Sequence, residues 1–339
     1  MLESLNEKKY LAGYDLSIGL FSRFDLKVYD IVPVRSVFFL YTNKGQKVLK
    51  KVNYTADELN FIYSAVKYIK RRFSRIMDFV ETKDGMVYTL WKNDMYCIMD
   101  MVEGRECDFA NPVDVSIASM GIGELHKASL GFKSTFAKKH MAGKLEENFK
   151  HRLIEMKFFK DIANMHEIKS TFDDIFLSNC DYYIDEIERS IKIIENSAYL
   201  KICSEEDKVV LCHHDLAHHN ILINDEKAYF IDFDYAVIDL KVHDLCNFIN
   251  KVVKNFGFDI AKAKDIIGDY CKTYELDRRE LLVLYGMLTF PEDFYNISKD
   301  YYTRRKEWDE DVFLERLIKK VNYKDDREKF LEEFKGLLM

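Results

Sequence analysis

Proline and glycine are scarce in this chain of 339 residues, with 3 and 13 copies. So few breakers exclude collagen-like, low-complexity and disordered architectures and leave room for long helices. A run of about 18 uncharged apolar residues is also lacking, so a membrane-spanning helix is not expected. The start, Met1-Leu-Glu-Ser-Leu-Asn-Glu-Lys-Lys9, has no apolar stretch of the kind a secretory signal needs, and a cytoplasmic setting is expected. Cysteines occur at 97, 107, 180, 203, 212, 246 and 271, an odd number without a CxxC pair, which argues against a disulfide framework or a zinc ribbon. A basic excess is missing too. Lys and Arg number 51 against 58 Asp and Glu, a net charge of -7, unlike a dedicated nucleic-acid binder. What is plentiful is apolar and aromatic. Hydrophobic residues are 48% and aromatics 14%, with 25 Phe and 21 Tyr, enough for a sizeable core in a chain long enough for two lobes.

After a short helical or irregular lead-in over residues 1–24, the pattern turns strand-like. Val28–Arg35, Ser36–Thr42 and Gln46–Val52 read as three strands, with Asn43-Lys-Gly45 as a hairpin turn. Apolar residues at 59, 62, 66 and 69 predict a helix over 57–72, with Thr55 or Asp57 as its N-cap. Strands at Met86–Trp91 and Tyr96–Met101 complete a β-β-β-α-β-β order. Past Glu103-Gly104 the chain becomes mostly helical: Val113–Ser129, then long amphipathic helices over Phe136–Met165 and Phe172–Asn196, and almost continuous helix after Val242. Between these lie short strands at 209–212, 221–224 and 228–231. The division expected is a small β lobe, 1–103, and a larger helical lobe, 104–339. The stretch from Tyr295 to Trp308, with Arg304, Arg305 and Lys306, interleaves acids and reads as a solvated helix face.

The densest polar cluster is Cys212-His-His-Asp-Leu-Ala-His-His-Asn220, followed by Ile231-Asp-Phe-Asp-Tyr235. A strand runs into a loop with His213, Asp215 and Asn220. A tight hairpin over Asn224-Asp-Glu-Lys227 then returns the chain, so that Asn220 and Asp232 fall at one end of the strand pair near Asp215. One carboxylate to accept a hydroxyl proton, with an amide oxygen and a second carboxylate as hard ligands for Mg²⁺, is a set suited to phosphoryl transfer. The histidines and Cys212 also fit a transition-metal site or a His-Asp hydrolase, but those ligands sit on helices and the flanks here are strand-like.

His-x-Asp-x-x-x-x-Asn with Ile-Asp-Phe-Asp resembles the catalytic and metal loops of the aminoglycoside phosphotransferase and choline kinase group, and more distantly those of protein kinases. His243-Asp-Leu-Cys-Asn-Phe248 is similar to choline and ethanolamine kinases. Glu103-Gly-Arg-Glu-Cys-Asp-Phe109 with Asn111-Pro112, Leu125-His-Lys-Ala-Ser129 and Phe290-Pro with Tyr301-Tyr302 resemble the spore coat protein S (CotS) family of spore-forming bacteria, over nearly the whole chain. The resemblance implies an α+β, two-lobed protein kinase-like fold, with a small N-terminal β lobe and a larger mostly helical C-terminal lobe. It implies ATP and Mg²⁺ as cofactors, with Asp215 as catalytic base, Asn220 and Asp232 as metal ligands, and Asp234 assisting substrate or metal. His213 and Asp244 would support the loop. Lys50 would hold the α/β-phosphates with Glu58 as its carboxylate partner, the adjacent Lys51 being the register error to watch. Backbone groups of Asp100 and Val102 would meet adenine.

Two departures stand out. The segment Val32–Val37 has no glycine-rich phosphate loop, leaving Arg35 and Ser36 as substitutes, and His214 stands where phosphotransferases often carry Gly. Two functions follow: an ATP/Mg²⁺-dependent phosphotransferase acting on a hydroxyl of an unidentified acceptor, or a catalytically degenerate kinase-fold component of the spore coat. Expected partners are the nucleotide, the acceptor and other spore coat proteins, with no nucleic acid and no membrane. The expected setting is the mother-cell cytoplasm with deposition in the coat.

Overall fold

The computed structural model describes residues 16–338. These pack as two compact units: residues up to Lys139 together with His218–Ala236, and His140–Ala217 together with the chain from Val237 onward. Residues 104–139 and 218–236 therefore group with the N-terminal sheet, whereas composition assigned everything after 103 to the helical lobe.

The first unit opens with a short helix α1 (Ile18–Ser22) capped by Ser17, followed by an antiparallel meander β1 (Val28–Val34), β2 (Val37–Thr42) and β3 (Gly45–Val52). Helix α2 (Ala56–Lys70) comes next, then β4 (Phe79–Val80), β5 (Tyr88–Trp91) and β6 (Asp94–Asp100). The sheet order is β1-β2-β3-β6-β4, with β5 also on β6. Helix α2 starts where the sequence predicts. Thr55 accepts from the Glu58 amide, Glu58 accepts in return from the Thr55 amide, and Leu59, Ile62, Val66 and Ile69 are all buried. One face of the sheet packs Leu40, Leu49 and Ile98 against Leu20, Phe21 and Phe24. Strand β7 (Arg105–Glu106) joins a second sheet with β9 (Ile221–Asn224) and β10 (Lys227–Phe230), against which helix α3 (Pro112–Ser129) packs with His126 fully buried. The β9–β10 turn puts Asp225 at φ 47° and Glu226 at φ 55°, the paired left-handed conformation that suits the twist of a two-residue hairpin.

In the second unit, β8 (Val209–Cys212) pairs antiparallel with β11 (Val237–Leu240). Around them lie α4 (Leu145–Met165), α5 (Thr171–Glu195), α6 (Tyr199–Ile202), α7 (Lys241–Val253), α8 (Ile260–Cys271), α9 (Arg278–Thr289), α10 (Glu292–Tyr302), α11 (Glu310–Asn322) and α12 (Lys324–Gly336). Rings stack between these helices: Phe172 on Tyr301 at 3.7 Å, Tyr183 on Phe294 at 3.8 Å and Phe149 on Phe290 at 4.3 Å between centroids. The stretch read as a solvated face is exposed over residues 303–307, but the part before them is not. In α10, Phe294, Tyr295, Ile297 and Tyr301 are buried, because its apolar residues recur at helical spacing. The helix expected from Phe136 begins only at Leu145. Gly143 adopts φ +90°, and the Tyr199 hydroxyl accepts from the amides of Gly143 and Leu145, both at 2.9 Å. Among the described residues no helix is long and apolar enough to cross a membrane. All seven cysteines are free, and Cys97, Cys107, Cys180, Cys212 and Cys246 are buried.

Candidate active site

Strand register decides which lysine faces the polar cluster of the first unit. Lys50 and Lys51 project to opposite sides of β3. Lys51 turns outward to Asp94 at 2.7 Å, while the largely buried Lys50 places its Nζ 2.7 Å from Asp232 Oδ1 and 2.7 Å from Asp234 Oδ2. Burial alone would lower the Lys50 pKa, but the two carboxylates outweigh it and hold the ammonium above its ordinary value. For Asp234 burial prevails instead and raises its carboxyl, with Lys50 opposing. The Tyr54 hydroxyl donates to Asp234 Oδ1 at 2.9 Å, and burial pushes its own pKa far up, so it stays a donor. Lys139 donates to the Asp234 carbonyl at 3.0 Å.

The hairpin positions these groups. Phe230 pairs with Ile221, and the Ile231 amide donates to the Asn220 carbonyl at 3.1 Å, so Asn220 and Asp232 fall at one end of the β9–β10 pair. Asn220 is buried. Asp232 sits at φ 62°, a left-handed conformation a β-carbon rarely adopts and one that costs of order 1–3 kcal/mol. Asp232, Asp234 and the buried Asn220 fall at this end of the hairpin, with the ammonium groups of Lys50 and Lys139 against Asp234. That hard-oxygen donor set fits a divalent cation such as Mg²⁺.

In the second unit the loop after β8 is held from α7. Asp244 is fully buried and accepts from the amides of His213 at 2.6 Å and His214 at 2.8 Å; Asn247 accepts from the Leu216 amide at 3.1 Å. His213 Nδ1 accepts from the Asp215 amide at 3.3 Å, and Lys251 pairs with the Asp215 carboxylate. His214 adopts φ 65°, the left-handed region that favours glycine. Its ring lies beside His243, which pairs with Asp239 at 2.7 Å.

The other expected residues make different contacts from those the sequence suggested. Glu58 is not beside Lys50; it closes the α2 capping box and lies 4.0 Å from Lys139. The Asp100 amide donates to the Asp78 carbonyl at 2.9 Å and its carboxylate pairs with Lys47 at 2.6 Å, while Val102 lies in the irregular stretch after β6. Arg35 and Ser36 form a two-residue turn between Val34 and Val37, and Arg35 pairs with Glu106 at 3.0 Å. Gly104, at φ +151°, closes the stretch after β6 where a β-carbon would meet Leu222 Cβ at 3.0 Å and the Ile223 carbonyl at 3.1 Å. The sequence reading missed Tyr54, Lys139, Asn247 and Lys251. Asp244, Asn247 and Lys251 recur at i, i+3 and i+7, one helix face, a signal that could have found two of them. Tyr54 and Lys139 sit outside the long helices and strands, with no periodicity to mark them.

The meander with its inserted helix, the largely helical second unit and the His-x-Asp loop define a protein of the kinase-like, aminoglycoside-phosphotransferase fold. A solved aminoglycoside phosphotransferase from Alicyclobacillus acidocaldarius superposes with a TM-score of 0.83 at 18% identity, over 95% of this chain and 96% of that one. Spectinomycin phosphotransferase, solved with ADP and spectinomycin, superposes with a TM-score of 0.65 at 15% identity over 93% and 96%. By sequence the chain belongs to the family described as "Spore coat putative kinase YutH", matched over residues 19–334. Spore coat protein S of Bacillus subtilis is 22% identical over 308 residues, 89% of this chain and 88% of its own length.

Proposed function

We propose that this protein is an ATP- and Mg²⁺-dependent phosphotransferase of the spore coat, acting on a hydroxyl acceptor. The observation that carries this reading is Lys50, held 2.7 Å from both Asp232 and Asp234 in a half-buried cluster. Charges are not gathered and desolvated in this way for stability alone, since burying ion pairs gains little. In this reading Lys50 holds the nucleotide phosphates, and Asn220, Asp232 and Asp234 hold Mg²⁺, which when bound neutralises charge developing on the transferred group. Asp215 takes the proton of the acceptor hydroxyl as its oxygen bonds to the γ-phosphorus and the bond to the β-phosphate oxygen breaks, releasing ADP. Val102 offers backbone to adenine. Nucleotide-bound relatives of the same fold support ATP as the donor.

Calorimetric titration of ATP, with and without Mg²⁺, into wild type and Asp232→Ala tests it. Metal-dependent binding in the wild type, weakened tenfold or more in the variant, is expected. Unchanged affinity in Asp232→Ala would overturn the metal-ligand role. The turn between β1 and β2 favours a second reading. Only two residues long and without glycine, it offers little backbone to wrap phosphates, as in a fold kept for coat assembly.

A further inference from the structure

A cavity of about 470 Å³ lies within the helical unit, with Asp215 on its wall. That is the size of a small-metabolite site. Its charge is what separates one class of metabolite from another. Arg152, Lys251, Lys254 and Lys320 all line it, and the carboxylates they face are already engaged. Lys251 holds Asp215, and Arg152 holds Glu292. Asp293 is shared by Lys320 at 3.1 Å and Lys254 at 3.7 Å, one negative charge for two positive. Neither lysine of that pair is fully exposed; the side chains of Lys254 and Lys320 retain 31% and 21% of their surface. Burial, with Lys320 and Lys251 nearby, draws the Lys254 pKa down against the pull of Asp293. The pocket is short of negative charge by itself, and an anion would supply it.

We infer that the acceptor is a small hydroxylated anion, its phosphate or carboxylate seated between Lys254 and Lys320 and its hydroxyl offered to Asp215. This rests on the phosphotransferase reading for the role of Asp215. A cationic acceptor, such as an amino sugar or a quaternary amine, needs surplus carboxylate, and every acid lining this cavity is taken by a lysine or arginine. Lys251 and Lys254 lie three residues apart, one turn of α7 and its C-cap, about 5 Å along the axis.

The test uses the full chain and four probes in calorimetric titration without nucleotide: glycerol 3-phosphate, glycerate, choline and kanamycin. The two anions distinguish a phosphate from a carboxylate source. At least one should bind at least tenfold more tightly than either cation. Lys254→Gln should weaken that binding tenfold or more, and Asp293→Asn, which leaves both lysines without their shared carboxylate, should tighten it. Choline or kanamycin binding more tightly than both anions, or Asp293→Asn weakening the anion, would overturn the inference; so would no anion binding by a folded wild type. ATP affinity, measured separately on the wild type, reports on the nucleotide reading alone, so the two can fail independently.

Discussion

At the scale of single residues, protonation couples the start of α7 to stability. Burial favours neutral Asp239 and neutral His243, but their mutual attraction wins. The Asp239 carboxyl ends well below the usual carboxylate range and the His243 imidazole above its ordinary value. A depressed carboxyl contributes stability above its unfolded value, near 4, that is lost as pH falls through its folded pKa. A raised imidazole contributes stability in full below about 6.5 that is lost as pH rises through its folded pKa. The pair therefore stabilises most between about pH 4 and 6.5. In urea unfolding as a function of pH, His243→Gln should flatten the decline above about pH 6.5. An unchanged slope there would show that His243 is not the titrating group.

Among the elements, close approach is enforced by missing side chains. Gly121 lies mid-helix in α3, where a β-carbon would sit 2.8 Å from Ala228 Cβ and 3.3 Å from the Phe230 ring, both residues fully buried in β10. Alanine would gain roughly 1 kcal/mol of helix propensity. Overpacking a β-carbon against a strand costs typically about 1–3 kcal/mol. The second effect wins because Ala228 has no flexible tip to move, so Gly121→Ala should lose about 1 kcal/mol in urea unfolding. Nothing in the sequence marked Gly121, since helical periodicity registers which residues are apolar and not how near a neighbour comes. What periodicity could register, it did: the buried face of α2 and the hairpins around Asn43 and Asp225 were legible because turn chemistry and alternation are local. Strands β4 and β7 are two residues long, too short for alternation, and β11 merges with the helix that follows it. The candidate site was legible as motif, Asp215, Asn220, Asp232 and Asp234. Lys50 was named through the family resemblance, but its pairing with Asp232 spans 182 residues of sequence, and Tyr54, Lys139 and Lys251 carry no motif that marks them as partners.

For the whole molecule, chemistry and assembly make separable demands. Both readings keep the fold, and only one needs the Asp215 carboxylate. Asp215→Asn changes little in shape and retains an oxygen for Lys251. If the protein serves the coat only as a building block, spores carrying this variant should assemble a normal coat by electron microscopy and coat-protein extraction. If phosphoryl transfer is the role, a coat defect should appear with the folded variant protein present at normal level.

The buried thiols carry a consequence for how the protein meets oxidants. Desolvation holds the thiols of Cys97, Cys107 and Cys180 up at about 12. At neutral pH a thiol with a pKa near 12 is ionised in only about one molecule in 10⁵, and the thiolate is the species that attacks a disulfide or a peroxide. Oxidation and thiol exchange therefore find little thiolate to react with at these three positions. Any covalent link to a neighbouring molecule must run through side chains other than these three, and the half-buried Cys203 and Cys271 are the thiols nearer to solvent.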